Sequence, residues 1–134
     1  MKILRWSADK EGVERDDALE LLDRDAILER VGGDVEFLEE IAGLFVEDCP
    51  KLLTEIRAAI SAGNPTALEH AAHTLKGSVA NFGARPAREA AFRLEMLGRE
   101  RDLLPAPEAC AVLEQEMERF TVALTSLARQ LKLG

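Results

Sequence analysis

The amino-acid sequence predicts an all-α protein, an antiparallel up-down four-helix bundle with an additional N-terminal helical segment. Three observations predict this fold. Apolar residues recur at steps of three and four, no segment alternates with the period of two typical of strands, and short breaks with helix-capping residues separate the periodic stretches. Long amphipathic helices with short connections pack as antiparallel neighbours around one core.

The composition fits a single helical domain and excludes several classes of partner. Hydrophobic residues make up 47% of the 134 residues, which is enough for a packed core. The formal net charge is −8, so we expect no nucleic-acid or anionic membrane partner, because both attract basic proteins. The apolar runs are too short to span a bilayer, and no signal-peptide pattern is present. We expect a cytoplasmic monomer.

The two cysteines, Cys49 and Cys110, both fall on apolar helix faces. Buried free cysteines behave as small hydrophobic residues. We interpret them as reduced core thiols rather than as a disulfide or a metal pair.

The chain begins with a weakly patterned leader over residues 1–15, which we expect to be flexible or loosely attached to the domain over residues 16–134. Residues 16–31 form a helical region, either one helix or two short helices broken near Asp23 or Asp25. Gly32 and Gly33 end this region, and Asp34 is a good N-cap for the next helix.

The second helix is predicted over residues 35–62, with one continuous apolar face. Pro50 lies inside this pattern, and a proline there removes a backbone donor and clashes with the preceding turn. We therefore expect a kink at Pro50, and the alternative is two helices joined near Asp48. The apolar positions are Leu38, Ile41, Ala42, Phe45, Cys49, Leu52, Leu53, Ile56 and Ile60.

The third helix is predicted from the dipeptide Asn64-Pro65, in which asparagine is the N-cap and proline is the first helical residue. Gly63 ends the preceding helix. The third helix is predicted to end in a turn at residues 82–84. Its core face is formed by Leu68, Ala72, Leu75 and Val79.

Two further helices complete the predicted bundle. The fourth runs from Pro86 to Leu97, and Gly98 fits its C-terminal stop. Residues 99–106 are interpreted as a charged, solvated loop, and Pro107 opens the fifth helix. The fifth helix carries an unbroken apolar seam that is suited to bundle packing, at Cys110, Leu113, Met117, Phe120, Leu124, Leu127 and Leu131.

The strongest functional signal lies in the third helix, at His73, Lys76 and Gly77. Residues at i, i+3 and i+4 are neighbours on a helix surface. The helical phase places His73 and Gly77 on the outer face, near the small Ala80, and Lys76 at its boundary. Glycine in a helix costs about 1 kcal/mol relative to alanine. A retained glycine beside an outward histidine therefore predicts a bare patch where another molecule comes close.

This combination suits a histidine that carries a phosphoryl group. A neutral imidazole is a nucleophile near neutral pH, and a hydrogen bond to one ring nitrogen sets which nitrogen is free to attack. Glu95 on the fourth helix is a candidate acceptor for that hydrogen bond, and the alternative is a solvated surface glutamate. The nearby ammonium group of Lys76 would stabilise the negative charge of a phosphoryl group.

Other chemistries have less support in the sequence. His70 lies one turn before His73 and could join it as a metal pair, but no second pair of ligands is found. A glycine-rich phosphate loop and a kinase signature set are both missing. The phosphoryl group is therefore expected to come from a partner, and the chain is expected to be a carrier rather than an enzyme.

The segment Ala72-His73-Thr74-Leu75-Lys76-Gly77-Ser78, which continues to residues 81–84, closely resembles the histidine phosphotransfer (HPt) domains of bacterial multistep phosphorelays. Further similarity comes from residues 32–34, 44–45 and 63–64, and from Arg93-Leu94-Glu95. The resemblance covers roughly residues 16–131, so it implies that 16–134 is an HPt-like helical bundle domain.

The resemblance implies a phosphocarrier with four site residues. His73 matches the phosphoacceptor, Lys76 the residue that stabilises the phosphoryl group, Gly77 the residue that lets the partner approach, and Glu95 a residue bonded to the histidine ring in some members. Response-regulator receiver domains and a hybrid sensor histidine kinase are the implied partners. No cofactor of the chain's own is implied, because the receiver brings the Mg²⁺ used in transfer.

Several alternatives remain open at this stage. One is a regulatory helical bundle that binds a receiver or kinase without phosphotransfer. Another is the phosphoacceptor domain of a chemotaxis-type kinase. The chain is either a free-standing carrier or a domain of a hybrid kinase, and the direction of phosphoryl flow is not predicted.

Overall fold

The computed structural model describes residues 22–133, so the predicted leader over residues 1–15 and the predicted helical residues 16–21 lie outside the described residues. Within the described range the chain forms five α-helices and no strand, which confirms the predicted all-α class. The helices are α1 (Arg24–Arg30), α2 (Val35–Ala62), α3 (Pro65–Ala80), α4 (Arg85–Arg99) and α5 (Ala106–Leu133).

Side-chain caps begin the first three helices where the sequence predicts breaks. The carboxylate of Asp23 accepts a hydrogen bond from the N–H of Ala26, and Asp34 caps α2 in the same way. Asn64 caps α3 through the N–H of Ala67. Gly63 ends α2 with φ of 64°, a left-handed conformation that favours glycine.

α2 continues through Pro50 as a single helix, so the alternative of two helices joined near Asp48 is wrong. The apolar face on both sides of the proline is buried, including Phe45, Cys49 and Ile56. This continuous packing keeps the two halves of α2 together despite the missing backbone donor. The kink at Pro50 stays a prediction.

The four long helices form a closed bundle around one core. α2 packs on α3 and α5, α4 packs on α3 and α5, and the contact between α3 and α4 is the most extensive. The predicted core faces of α3 and α5 point into this core, where Leu68, Ala72, Leu75, Val79, Leu113, Phe120 and Leu124 have no exposed surface.

α1 closes the end of the bundle where α3 turns into α4. Phe82 follows α3 and packs edge-on against Phe45, with ring centroids 5.4 Å apart. Its carbonyl accepts a hydrogen bond of 3.1 Å from the N–H of Asp23. Gly83 has φ of 65°, and a Cβ there would lie 2.5 Å from Cβ of Asp23. The α3–α4 turn is therefore the platform on which α1 begins.

Gly98 does not end α4, so the prediction of a C-terminal stop at this residue is wrong. It lies inside the helix and is buried. A Cβ on Gly98 would lie 2.7 Å from the backbone oxygen of Pro65 and 2.7 Å from the backbone nitrogen of Glu69. Its role is to let the end of α4 approach the start of α3 closely.

Cys49 and Cys110 are both buried and form no disulfide. Burial raises the pKa of each thiol above its ordinary value, which favours the protonated form. The burial of both side chains confirms that they belong to the packed core.

None of the helices in the described part of the chain is both long and apolar enough to cross a membrane.

Candidate functional site

His73 lies on the outer face of α3, opposite the core face of that helix. Ala72 and Leu75, its neighbours toward the core, have no exposed surface, whereas the side chain of His73 is 64% exposed. α3 is held on its inner side by apolar packing, so the imidazole is presented to solvent from a fixed backbone. The structure thus places His73 on the outer face, as the sequence predicts.

Glu95 projects from α4 to the same point, and its side chain is only 2% exposed. Its Oε2 atom lies 3.0 Å from Nδ1 of His73. Burial raises the pKa of the Glu95 carboxyl, and the contacts with Lys76 and His73 lower it by more, so that the pKa lies below its usual value. The carboxylate is therefore ionised at neutral pH.

An ionised carboxylate only accepts hydrogen bonds, so Nδ1 of His73 donates its N–H to Glu95. In a neutral imidazole this arrangement leaves Nε2 without a proton and with a free lone pair. Nε2 is thereby the nucleophilic nitrogen of the ring. The ionised oxygen also stabilises any positive charge that develops on the ring when Nε2 attacks an electrophile.

Besides His73, two cations contact the buried carboxylate. Nζ of Lys76 lies 2.8 Å from Oε1 of Glu95, a close ion pair without the angular geometry of a hydrogen bond. A guanidinium nitrogen of Arg99 donates to Oε2 at 3.0 Å, and Nε of Arg99 donates to Glu69 at 3.0 Å. Burial of a lone carboxylate is costly, and these cations compensate for it.

Lys76 is also held on its other side by an aromatic ring. Its Nζ lies 5.0 Å from the ring centroid of Phe92, within the range of a cation–π contact. The Lys76 side chain is 25% exposed, so its charge stays near the surface on which His73 projects. The ammonium group is in position to stabilise negative charge arriving at this surface.

Gly77 leaves the surface next to His73 open. Nothing lies within 4 Å of a Cβ built on Gly77, so packing within the chain does not require glycine here. The next residue on the same helical face is the exposed Ala80. A partner can therefore approach α3 closely along the line from His73 to Ala80.

On the other side of His73, a shallow hollow of about 360 Å³ is lined by Thr66, Glu69, His70, His73, Glu95 and Arg99. His70 is exposed beside it. Within residues 22–133, no three His, Cys, Asp or Glu side chains are placed so that they could hold a metal ion.

The structure brings His73, Lys76 and Glu95 together, with Gly77 beside them, but sequence reasoning missed Arg99. The sequence interpretation assigned Arg99 to a solvated loop, whereas it is the last residue of α4 and bonds to Glu95. The spacing of Glu95 and Arg99 at i and i+4 was the available signal. Its second partner, Glu69, is distant in sequence and gave no signal.

Comparisons with known proteins identify the family and the fold of the chain. The sequence model of the Hpt domain matches residues 40–123. No curated protein matches the chain. Among solved structures, the fold is similar to the crystal structure of histidine-containing phosphotransfer protein B (HptB) from Pseudomonas aeruginosa PAO1. The TM-score is 0.73 at 25% identity, over 85% of this chain and 96% of that chain.

Proposed function

The chain belongs to the Hpt domain family, whose members are phosphocarriers of phosphorelays that interact with receiver domains and kinases, and we propose that His73 is the residue that carries the phosphoryl group. The hydrogen bond between Nδ1 of His73 and the buried Glu95 carries this proposal. It supports a ring whose second nitrogen, Nε2, is free and directed outward.

In the proposed transfer, the lone pair of Nε2 attacks the phosphorus of an aspartyl phosphate on a receiver domain. The new N–P bond forms as the bond between phosphorus and the acyl oxygen breaks, and the aspartate leaves as a carboxylate. No proton moves, because Nδ1 keeps its hydrogen and the ring becomes positively charged. Glu95 stabilises that charge across the 3.0 Å hydrogen bond.

Lys76 and Gly77 have separate parts in this proposal. Lys76 compensates the negative oxygens of the phosphoryl group from its position over Phe92. Gly77 lets the receiver backbone come close enough for in-line attack, since reacting atoms must lie within about 3–3.5 Å. The divalent cation that phosphoryl transfer uses is proposed to come with the receiver. The reverse reaction, to a second receiver aspartate, uses the same groups.

Radiolabelled phosphotransfer tests the proposal. Mg²⁺-loaded receiver domains from the same organism are phosphorylated with labelled acetyl phosphate and mixed with the wild-type chain, with His73→Gln or with His70→Gln. We expect acid-labile, base-stable label on the wild type and on His70→Gln, and none on His73→Gln. His70 is a matched control because it is also exposed and lies one turn away on the same helix.

Label that persists on His73→Gln would place the phosphoryl group elsewhere and contradict the proposal. Binding of receivers without any label on the wild type would instead favour the regulatory bundle without phosphotransfer. Circular dichroism checks that each variant is folded, and His73→Gln is expected to fold normally because its side chain is exposed.

A further inference from the structure

Charge is unevenly distributed along the amino-acid sequence. The segment 65–99, which forms α3 and α4, contains five Lys and Arg against three Glu, whereas the other 99 residues contain 12 Lys and Arg against 22 Asp and Glu. The helices that bear His73 and Glu95 are therefore the basic side of an acidic protein. Such a division creates an oriented electrostatic field that acts on approaching partners.

Arg85, Arg88 and Arg93 are exposed cations of this basic side that form no ion pair in the described part of the fold, and Arg85 and Arg88 lie together at the start of α4. Among the described residues, Arg57, Arg99 and Arg119 pair with glutamates, whereas Arg85 and Arg88 make no ion pair. They line a hollow of about 380 Å³ together with Ala80, Gly83 and Ala84. Both arginines are exposed where they line this hollow.

The position of these arginines is unfavourable for α4 itself. They lie in the first four residues of the helix, where the positive end of the helix dipole favours acidic side chains. The first turns of α1, α2 and α5 carry Asp25, Glu36 and Glu108, whereas the first turns of α3 and α4 carry no acidic residue, and α4 alone of these two has arginines there. Helix stability therefore does not account for Arg85 and Arg88.

The hollow lies within reach of a partner that contacts His73. Ala80 is seven residues beyond His73 on the same face of α3, or about 10 Å along the helix axis. A transient interface of about 600–800 Å² per partner has a radius of about 14–16 Å. A domain centred on His73 therefore reaches Ala80 and the hollow that Ala80 lines together with Arg85 and Arg88.

We propose that Arg85 and Arg88 form a basic docking edge for the acidic face of a receiver domain. This inference rests on the proposed function. A protein that holds Mg²⁺ beside an aspartyl phosphate does so with carboxylates, so the face it presents is rich in negative charge. The docking edge attracts that face, and the hollow beside Ala80 accepts an acidic loop while His73 meets the phosphoryl group.

Charge reversal with a matched control tests this inference. The double variant Arg85→Glu/Arg88→Glu is compared with Lys51→Glu/Arg129→Glu, which changes the net charge by the same amount. Arg129 lines a groove between α2 and α5, and Lys51 lies one turn beyond Glu47 of that groove, so both lie away from the α3–α4 face. The probe is the phosphorylated receiver that labels the wild-type chain, and the readout is the second-order rate constant of transfer.

We expect the docking-edge variant to transfer about tenfold or more slowly than the wild type at low salt, because steering changes association rates by about 10- to 1,000-fold. Rising ionic strength should slow the wild type and narrow the difference, since the Debye length falls to about 8 Å at 0.15 M. The control variant should stay within about twofold of the wild type, and both variants should reach the same final extent of labelling at His73.

Equal slowing of the two double variants would overturn the inference, because total charge rather than a local edge would then govern association. Unchanged transfer by Arg85→Glu/Arg88→Glu would overturn it as well. Failure of the proposed function is a distinct outcome, because the wild-type chain itself would then take no label at His73.

Discussion

Replacement of Gly77 by alanine should stabilise the fold and slow phosphotransfer. Gly77 is interior to α3, its backbone is helical, and nothing lies within 4 Å of a Cβ added there. Alanine in place of a helical glycine gains about 0.5–1 kcal/mol. With an unfolding entropy of about 2.1 cal/mol/K per residue, this gain raises the Tm of a domain of this size by about 2–4 °C.

The same methyl group should obstruct the partner. It lies one turn from His73 on the outer face, where adjacent Cβ atoms are about 5–6 Å apart. A displacement of the reacting groups by about 1 Å can cost about 100-fold in rate. We therefore expect Gly77→Ala to transfer about 10- to 100-fold more slowly, while its melting temperature rises.

Gly43→Ala is the matched control, because Gly43 is also interior to a helix, exposed, and free of neighbours within 4 Å of an added Cβ. It should give the same thermal gain with unchanged transfer. Calorimetry and transfer from a labelled receiver provide the two readouts. A Gly77→Ala variant with wild-type transfer would refute close approach over Gly77, and a lower melting temperature would refute the open environment assigned to it.

Three further predictions concern the contact between α3 and α4. Gly98→Ala should lower the free energy of unfolding, measured in urea, by about 1–3 kcal/mol, because its Cβ would lie 2.7 Å from backbone atoms of Pro65 and Glu69. Unchanged stability would contradict the close approach of α4 to α3 at this residue. Glu95→Ala should shift the neutral His73 ring toward the Nε2–H tautomer in ¹⁵N NMR and should slow transfer. Glu95→Gln should keep the original tautomer, because its amide oxygen can still accept a hydrogen bond from Nδ1. Identical spectra for both variants would argue against the hydrogen bond. Because the pKa of Glu95 is lowered in the fold, its ionised form stabilises the fold fully above the unfolded value of 4.5, and this stabilisation is lost as the pH falls through the folded pKa. The difference in stability between wild type and Glu95→Gln should therefore shrink in acid. A difference that stays constant with pH would contradict the lowered pKa.

The helix bounds were predictable because their causes are local. The caps Asp34 and Asn64 bond to backbone groups three residues away, and Gly63 adopts its left-handed conformation at the end of α2. These signals depend on a few neighbouring residues, so the sequence contains them in readable form. Gly98 shows the limit of such reasoning, since a glycine required by a distant backbone looks the same in sequence as a helix stop.

The burial of Glu95 was not predictable for the same reason. Ala91, Glu95 and Gly98 follow one another on a single face of α4, and the sequence placed Glu95 only beside the apolar residues. Its burial follows from how closely α3 approaches, which Gly98 and the fully buried Ala91 permit. The charged run that begins at Arg99 looks like a solvated loop in the sequence, because the partner of Arg99, Glu69, belongs to another helix. The sequence thus identified the exposed histidine, and tertiary packing supplied the groups that orient it.

In the proposed function, the contrast between an exposed His73 and a buried Glu95 lets one side chain serve two partners. A hydrogen bond to a charged group contributes about 1.5–3 kcal/mol. Ordering a side chain costs up to about 2 kcal/mol. The bond at 3.0 Å therefore offsets the loss of ring rotation, and in the proposed transfer the ring presents the same nitrogen, Nε2, to donor and acceptor. A freely rotating ring would lose part of the rate advantage that comes from fixed orientation. The anchor belongs to α4 and the presented ring to α3, so the orientation of the ring depends on the packing of these two helices.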